Sequence, residues 1–316
     1  MGGAKYLSPL LESMHPDSFD LIVHPISARF IDDFLQYHYQ LFDIDNNDTN
    51  RFWELEIKKY HSIVLTTSSK YIDDANSKLI EIAKSLDIPT LGFLDHWKGF
   101  DRFYDHNQSL VYLPNWLGVI DRTTVNRLNA MNIKPEKIIV IGHPWLDYLH
   151  KTYNSQLSKE TSKKILLVSQ PDIKQNFNSI FCGKTTYEKT TKYLKKMSSK
   201  GYNSFYRPHP KESKSAFTNL PIDNSNFMNV LNDYDIFIGY DSMMLLEAAT
   251  LGKTVLYLDD IMIKNNSDHS IPVSYGQPLD EFSLLYGNEM TPKENLFNNS
   301  ILEGKKIIKN FIEKVI

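Results

Sequence analysis

Arg207, His209 and Lys211 lie in the run Tyr206-Arg-Pro-His-Pro-Lys-Glu212, at what reads as a strand end close to a helix start. A guanidinium, an imidazole and an ammonium group so spaced suit a phosphate or diphosphate, because they can hold the charge that builds on a departing nucleotide without a metal ion. A second run, Asp235 to Leu258, reads as buried strand, polar turn, apolar helix and buried strand, with Asp241 or Ser242 capping the helix and Gly252 stopping it. Glu247 falls about one and a half turns into that helix, among Met244, Leu245, Leu246, Ala248 and Ala249. A lone acid there needs a partner. In strand-helix-strand units of parallel sheets, ligands bind beyond the carboxyl ends of the strands, where free N–H groups at a helix start attract phosphate. Ser169, which follows an apolar run at 164–168, either adds backbone N–H groups to such a site or forms an ordinary turn.

Other polar residues fall at the ends of strands in the first half of the chain. Two further His-Pro pairs, at His24 and His143, stop their strands, because proline has no N–H for a ladder and disfavours helix for the residue before it. Asp95 and His96 follow the run Thr90-Leu-Gly-Phe-Leu. A carboxylate there is placed to take a proton from a hydroxyl, and partial desolvation would raise its pKa toward that task. Equally, Asp95 caps the following turn or pairs with Arg102. His24, His96, Asp101 and His143 are the remaining candidates on this side. Trp97, Phe100 and Phe103 either stack on sugar faces or belong to the core. Asp121-Arg122 and Asp259-Asp260 also follow strands, but no histidine spacing beside them supports a metal site.

These residues need a layered α/β frame to position them, and apolar runs alternate with helix-period segments almost throughout. Strands are expected at 19–23, 62–66, 90–94, 117–120 and 137–141, then at 164–168, 203–206, 235–238 and 254–258. Helices are expected near 27–41, 50–59, 72–86, 122–131, 185–200, 211–218, 227–233 and 242–251. The polar stretch 153–163 reads as a linker between two Rossmann-like doubly wound domains facing a cleft, at 1–153 and 164–316. The last sixteen residues form an amphipathic helix in this reading. Gly2-Gly3 resembles the glycine turn after a first strand, with either that strand absent or the turn coincidental.

Composition narrows the function classes. With 41% hydrophobic and 23% charged residues and no run near the roughly 18 apolar residues of a membrane span, the sequence is that of a soluble globular protein. Its start lacks a signal-peptide pattern, and Cys182 is the only cysteine, which excludes an internal disulfide and fits a cytoplasmic compartment. A net charge of −3 gives no global attraction to nucleic acid. The absence of Gly-x-Ser-x-Gly, Walker and Gly-x-Gly-x-x-Gly patterns weakens hydrolase, NTPase and dehydrogenase readings.

The layout, Gly142-His-Pro-Trp-Leu-Asp147, Arg207-Pro-His-Pro, and Ser242-Met-Met-Leu-Leu-Glu247-Ala with Gly252-Lys-Thr-Val together resemble bacterial GT-B-type glycosyltransferases of surface-polysaccharide assembly. The sialyltransferase-like and Kdo-transferase-like groups and the teichoic-acid polyol-phosphate transferases are the most similar in motif, and UDP-sugar 2-epimerases share the architecture. This resemblance implies that the first domain serves the acceptor and the second binds the nucleotide-sugar donor. His209 and Ser242 would contact the donor phosphate and Glu247 would hold ribose hydroxyls. From the residues themselves and not from a family motif, Asp95 would act as base, with Arg207, Lys211 and Ser169 assisting the donor. The donor would be a CMP- or UDP-linked sugar, although the acidic Asp/Glu-Asp/Glu-Gly motif frequent in the sialyltransferase-like group is missing. Gly239 stands where retaining enzymes often carry a further glutamate, which points to inversion. No metal or other cofactor is expected. The acceptor would be a glycan or lipid-linked molecule, compatible with peripheral association at the inner membrane face. Polyol-phosphate transfer from a CDP-alcohol and a non-catalytic nucleotide-sugar-binding or assembly role are the alternatives.

Overall fold

A computed structural model of the chain describes residues 2–12, 14–15, 18–23, 25–34, 38–41, 49–66, 75–97, 99–153, 162–172, 176–209, 211–240, 242–258, 277–278 and 300–315. The chain forms two compact units, Met1–Tyr148 with Glu294–Ile316, and Leu149–Lys293. Each is a parallel-sheet α/β layer structure of Rossmann-like type.

In the first unit, β1 (Leu21–Val23) pairs in parallel with β2 (Tyr39–Leu41). A separate parallel sheet has the order β3 (Ile63–Thr66), β4 (Thr90–Phe93), β5 (Trp116–Val119), β6 (Lys137–Val140). The two central strands are wholly buried, whereas β6 at the edge has exposed ends and a half-buried middle, as expected for an edge strand less covered than the middle of the sheet. The tight pairing of β4 and β5 requires Gly118, because a Cβ there would lie 2.4 Å from the Phe93 ring. The helices are α1 (Gly2–Leu11), α2 (Pro25–Phe34), α3 (Thr49–Glu56), α4 (Ala75–Ser85) and α5 (Arg122–Ala130). Phe100 and Phe103 belong to a core with Leu117, Val119 and Leu128, so these two rings are packing residues. The chain passes to the second unit through α6 (Pro144–Tyr153), which has proline at its first position, where the missing N–H costs nothing.

In the second unit, β7 (Lys164–Val168) lies between β10 (Asn203–Arg207) and β11 (Ile236–Gly239), with β12 (Thr254–Tyr257) and β13 (Gln277–Pro278) beyond β11, all parallel. A short antiparallel pair, β8 (Pro171–Asp172) with β9 (Asn178–Ser179), follows β7. Its helices are α7 (Lys184–Ser198), α8 (Phe227–Asp233) and α9 (Met243–Thr250). Gly252 ends α9 with φ of 73°, while the N–H groups of Gly252 and Lys253 turn back to Ala249 and Ala248 and satisfy carbonyls the helix leaves open.

The structure departs from the sequence reading in four places. Gly2-Gly3 starts a helix rather than a turn, and Gly3 is needed because a Cβ would stand 2.2 Å from the Thr66 hydroxyl. The helix expected at 27–41 ends at Phe34, and Tyr39–Leu41 form a strand. Residues 211–218 are not helical: Ser213 N–H donates to Phe177 and Lys214 accepts from Ser179, so pairing with β9 takes the backbone groups a helix would use. Finally, α10 (Ser300–Val315), assigned to the second half from sequence, packs in the first unit. There the buried Asp147 carboxylate accepts the Ile301 N–H, Phe311 meets the Trp116 ring at 5.3 Å, and Gly304 crosses so close that a Cβ would sit 2.6 Å from Leu10. Most of the proposed linker lies outside the described residues.

Candidate functional site

The carboxyl edge of the second sheet is set by register: Arg207 and Gly239 both pair with Val168, and Tyr257 pairs with Gly239. From β7 the chain moves to β10 on one side, while from β11 it moves to β12 on the other. The loops after β7 and β11 therefore diverge between adjacent strands, which is the topological switch point where open α/β sheets bind ligands. Gly239 keeps this edge bare, since a Cβ would come within 2.8 Å of the Val168 carbonyl oxygen.

Ser242 is the N-cap of α9: its hydroxyl oxygen accepts from Met244 N–H at 3.3 Å, which leaves the O–H free to donate outward. Glu247 is buried at 1% exposure, in a helix buried on every side from Leu245 to Thr250.

His209 sits just past β10 and is half-buried. Its Nδ1 accepts the Lys211 N–H at 3.1 Å, so the proton of the neutral ring belongs on Nε2, the atom left to face a ligand. Burial and then the Lys211 charge lower its pKa, with Glu212 acting in the opposite direction.

The other members of the proposed phosphate cluster have different duties. The Arg207 guanidinium donates to Asp223 at 2.9 Å and to the Ser225 carbonyl at 3.0 Å, and Asp223 also accepts from Tyr234 and Ser225. The Asp223 carboxyl is held below its ordinary value, because these hydrogen bonds and Arg207 together outweigh the opposing effect of burial. Arg207 thus ties the edge strand to the segment before α8. Ser169 is also turned inward, with its hydroxyl 2.8 Å from both Ser179 and Tyr206 and its N–H spent on the Arg207 carbonyl. Lys211 is exposed and takes part through its backbone N–H.

In the first unit, Asp95 lies two residues past β4 with its side chain 19% exposed, and the nearest Arg102 nitrogen is 3.7 Å away. Arg102 is itself fixed by donating from Nε to the Gly99 carbonyl at 2.7 Å. Burial pushes the Asp95 carboxyl up, and Arg102 only partly restrains the shift. Tyr6, on α1, has its own pKa raised by burial and then by the Asp95 charge, and donates its hydroxyl to the Gly142 carbonyl at 2.9 Å. The Tyr6 ring meets the His143 ring edge-on at 4.8 Å. His143 is 2% exposed, and burial pushes its pKa down to about 3, so the ring is neutral across the ordinary pH range. Trp97 is buried and donates to Asp121, whose other oxygen caps α5 through Thr124 N–H, so Asp121 is structural. His96 stands edge-on to Trp97, and Asp101 is half-buried in the 3-10 turn 100–103. His24, Asp259 and Asp260 lie outside the described residues.

Sequence reasoning missed Tyr6, because its helix was read as a turn. It also passed over Glu212, although that acid stands three residues from His209. Among the described residues no group of three His, Cys, Asp or Glu side chains is arranged to hold a metal, and no helix is long and apolar enough to cross a membrane.

Solved structures share this fold at low sequence identity. A UDP-GlcNAc 2-epimerase from Methanocaldococcus jannaschii matches with a TM-score of 0.63 at 13% identity, over 99% of this chain and 97% of that one. A UDP-GlcNAc 2-epimerase from Neisseria meningitidis bound to UDP-GlcNAc matches at 0.62 and 14% identity, over 99% and 97%. A glycosyltransferase from Rickettsia africae matches at 0.52 and 13% identity, over 98% and 94%. No protein-family model matches the sequence, and no curated protein does.

These comparisons correct the functional part of the sequence resemblance. The structural relatives are dominated by UDP-GlcNAc 2-epimerases, not by sialyltransferase-like, Kdo-transferase-like or teichoic-acid transferases. Transfer to a separate glycan or lipid-linked acceptor is accordingly withdrawn, along with the CDP-alcohol alternative. The motifs misled for a physical reason: short runs at strand ends mark an edge that can hold a nucleotide phosphate, and enzymes of either class need such an edge.

Proposed function

We propose that the chain is a nucleotide-sugar enzyme that binds a UDP-linked N-acetylhexosamine at the carboxyl edge of β10, β7 and β11 and inverts the configuration at carbon 2 of the sugar. The observation that carries this reading is the switch point between β7 and β11, with the Nε2–H of His209 and the capped start of α9 on the same edge. Fixed N–H and O–H donors at a helix start favour a diphosphate, and they stabilise charge that develops on it during reaction. The second unit is thus the nucleotide-binding unit, with Glu247 the proposed partner of the ribose. UDP is preferred over CMP because the 2-epimerase neighbours solved with a nucleotide carry UDP or UDP-GlcNAc.

No carbonyl acidifies the hydrogen at carbon 2, so the step balances when a base takes that proton while the bond from carbon 1 to the diphosphate oxygen breaks. The C–H electron pair forms a carbon 1–carbon 2 double bond, and the diphosphate leaves with the bonding pair. UDP then adds back at carbon 1 as a proton returns to the opposite face of carbon 2, so a base is needed and a separate acceptor is not. Asp95 is the proposed base, since burial raises its pKa while it stays partly open to solvent. Incubating the protein with UDP-GlcNAc in deuterium oxide tests the reaction directly. The expected nuclear magnetic resonance result is the 2-epimer, with deuterium replacing the hydrogen at carbon 2. An unchanged sugar with no deuterium incorporation, under conditions where UDP binds, contradicts it.

A further inference from the structure

Glu212 uses both of its carboxylate oxygens. One accepts from the hydroxyl of Tyr206, and the other accepts the His209 N–H at 3.3 Å. The Glu212 N–H in turn donates to the His209 carbonyl at 2.9 Å, closing a tight turn around the histidine. We infer that Glu212 is a positioning residue for His209: it ties the histidine's backbone to the buried core, so that the imidazole holds its Nε2–H toward the nucleotide diphosphate. This inference rests on the reading of His209 as a phosphate ligand.

The anchor at the far end is rigid. Tyr206 is 0% exposed, within the core that includes Phe181 and Phe217. Its oxygen lies 2.8 Å from the Ser169 hydroxyl and 3.0 Å from that of Ser179, which themselves stand 2.8 Å apart. The phenol has one proton, and the carboxylate is the strongest acceptor of the three, so Tyr206 donates to Glu212 while the two serine hydroxyls, with one hydrogen each, donate within the triangle they form with the phenol oxygen. Burial, followed by the Glu212 bond, pushes the Tyr206 pKa up to about 12, so the phenol keeps its proton. At the near end, the turn closed by Glu212 brings the Lys211 N–H to Nδ1 of His209 and thereby fixes which ring nitrogen carries hydrogen. A chain of bonds therefore runs from a core tyrosine to the backbone of His209 and on to its ring, leaving Nε2 as the ring atom that carries hydrogen.

Glutamine in place of Glu212 offers one accepting oxygen where two are used and turns N–H groups toward a second donor. The test is a double-mutant cycle on UDP affinity, measured by calorimetry with Glu212→Gln, His209→Ala and the double variant in the full chain. Glu212→Gln is expected to weaken UDP binding about 3- to 10-fold when His209 is present, the effect of roughly one hydrogen bond, and by less than about 2-fold when residue 209 is alanine. Equal weakening in both backgrounds, or none in either, overturns the positioning role. If His209→Ala leaves affinity unchanged, the site reading itself fails, and the role of Glu212 falls with it. Melting curves check the fold. Should Glu212→Gln unfold at the assay temperature, Tyr206→Phe carries the same cycle, because it removes the anchoring bond and leaves Ser169 and Ser179 paired with each other.

Discussion

Turnover of the UDP-sugar by Asp95→Asn is expected to fall about 10²–10⁴-fold, the contribution of a positioned base, while UDP affinity stays within about 2-fold of the parent. Asparagine fills nearly the same volume and keeps a carbonyl oxygen for Arg102, so the loop at 95–102 retains its shape and the loss reports on proton transfer. The acid limb of the rate profile adds a signature. Burial raises the Asp95 pKa above its ordinary 3.8, against the pull of Arg102, so the base becomes protonated at a higher pH than a free carboxylate does. The rate of the parent should therefore drop, as pH is lowered, before an ordinary carboxylate would titrate. The residual rate of Asp95→Asn should be flat through the same window. Initial rates of epimer formation across the acid range decide the matter. Near-normal turnover by Asp95→Asn would move the base to His96 or Asp101, which follow in the same loop. His143 does not inherit the role easily, because its ring is buried at 2% exposure.

The second large effect is expected at His209. Alanine there removes an N–H donor to a charged oxygen, a loss of about 1.5–3 kcal/mol, or roughly 10- to 150-fold in the dissociation constant of UDP. The half-buried ring carries little of the core, so the melting temperature should hold. Because burial and Lys211 lower the His209 pKa, the imidazole is neutral at and above neutral pH, and UDP affinity should be level there. Affinity should rise only on acidification, as the cation forms beside the diphosphate. Titrations of UDP into parent and variant at several pH values test both parts. An unchanged affinity removes His209 from the site.

Much of the frame was legible because buried parallel strands are apolar along their whole length. Lys164–Val168 and Ile236–Gly239 stand as read, to within a residue, and the glycine stop at Gly252 follows from its positive φ. Helices failed where distant partners compete for the backbone. No local pattern in 211–218 shows that residues 176–179 will take its hydrogen bonds, and none at Gly2-Gly3 shows that a helix must press against Thr66. The terminal helix was visible from its spacing, but its place depends on Asp147 and Trp116, which lie far away in sequence. The candidate site divides in the same manner. His209 and Ser242 were singled out from strand-end motifs and stay the proposed ligands, whereas Arg207 looked equally suitable until Asp223 was seen to hold it. The reaction class was the least legible, because motifs at a nucleotide edge report the phosphate and not the fate of the sugar.

Backbone hydrogen exchange with and without UDP tests the central claim most directly, since a ligand that binds only the folded form protects the amides it covers. Added protection is expected in the His209–Ser213 turn and at the start of α9, residues 242–245, with smaller effects at the end of β7, and His209→Ala should reduce it in the turn first. Protection confined to other surfaces, or exchange unchanged by saturating UDP, would contradict a nucleotide site at this sheet edge.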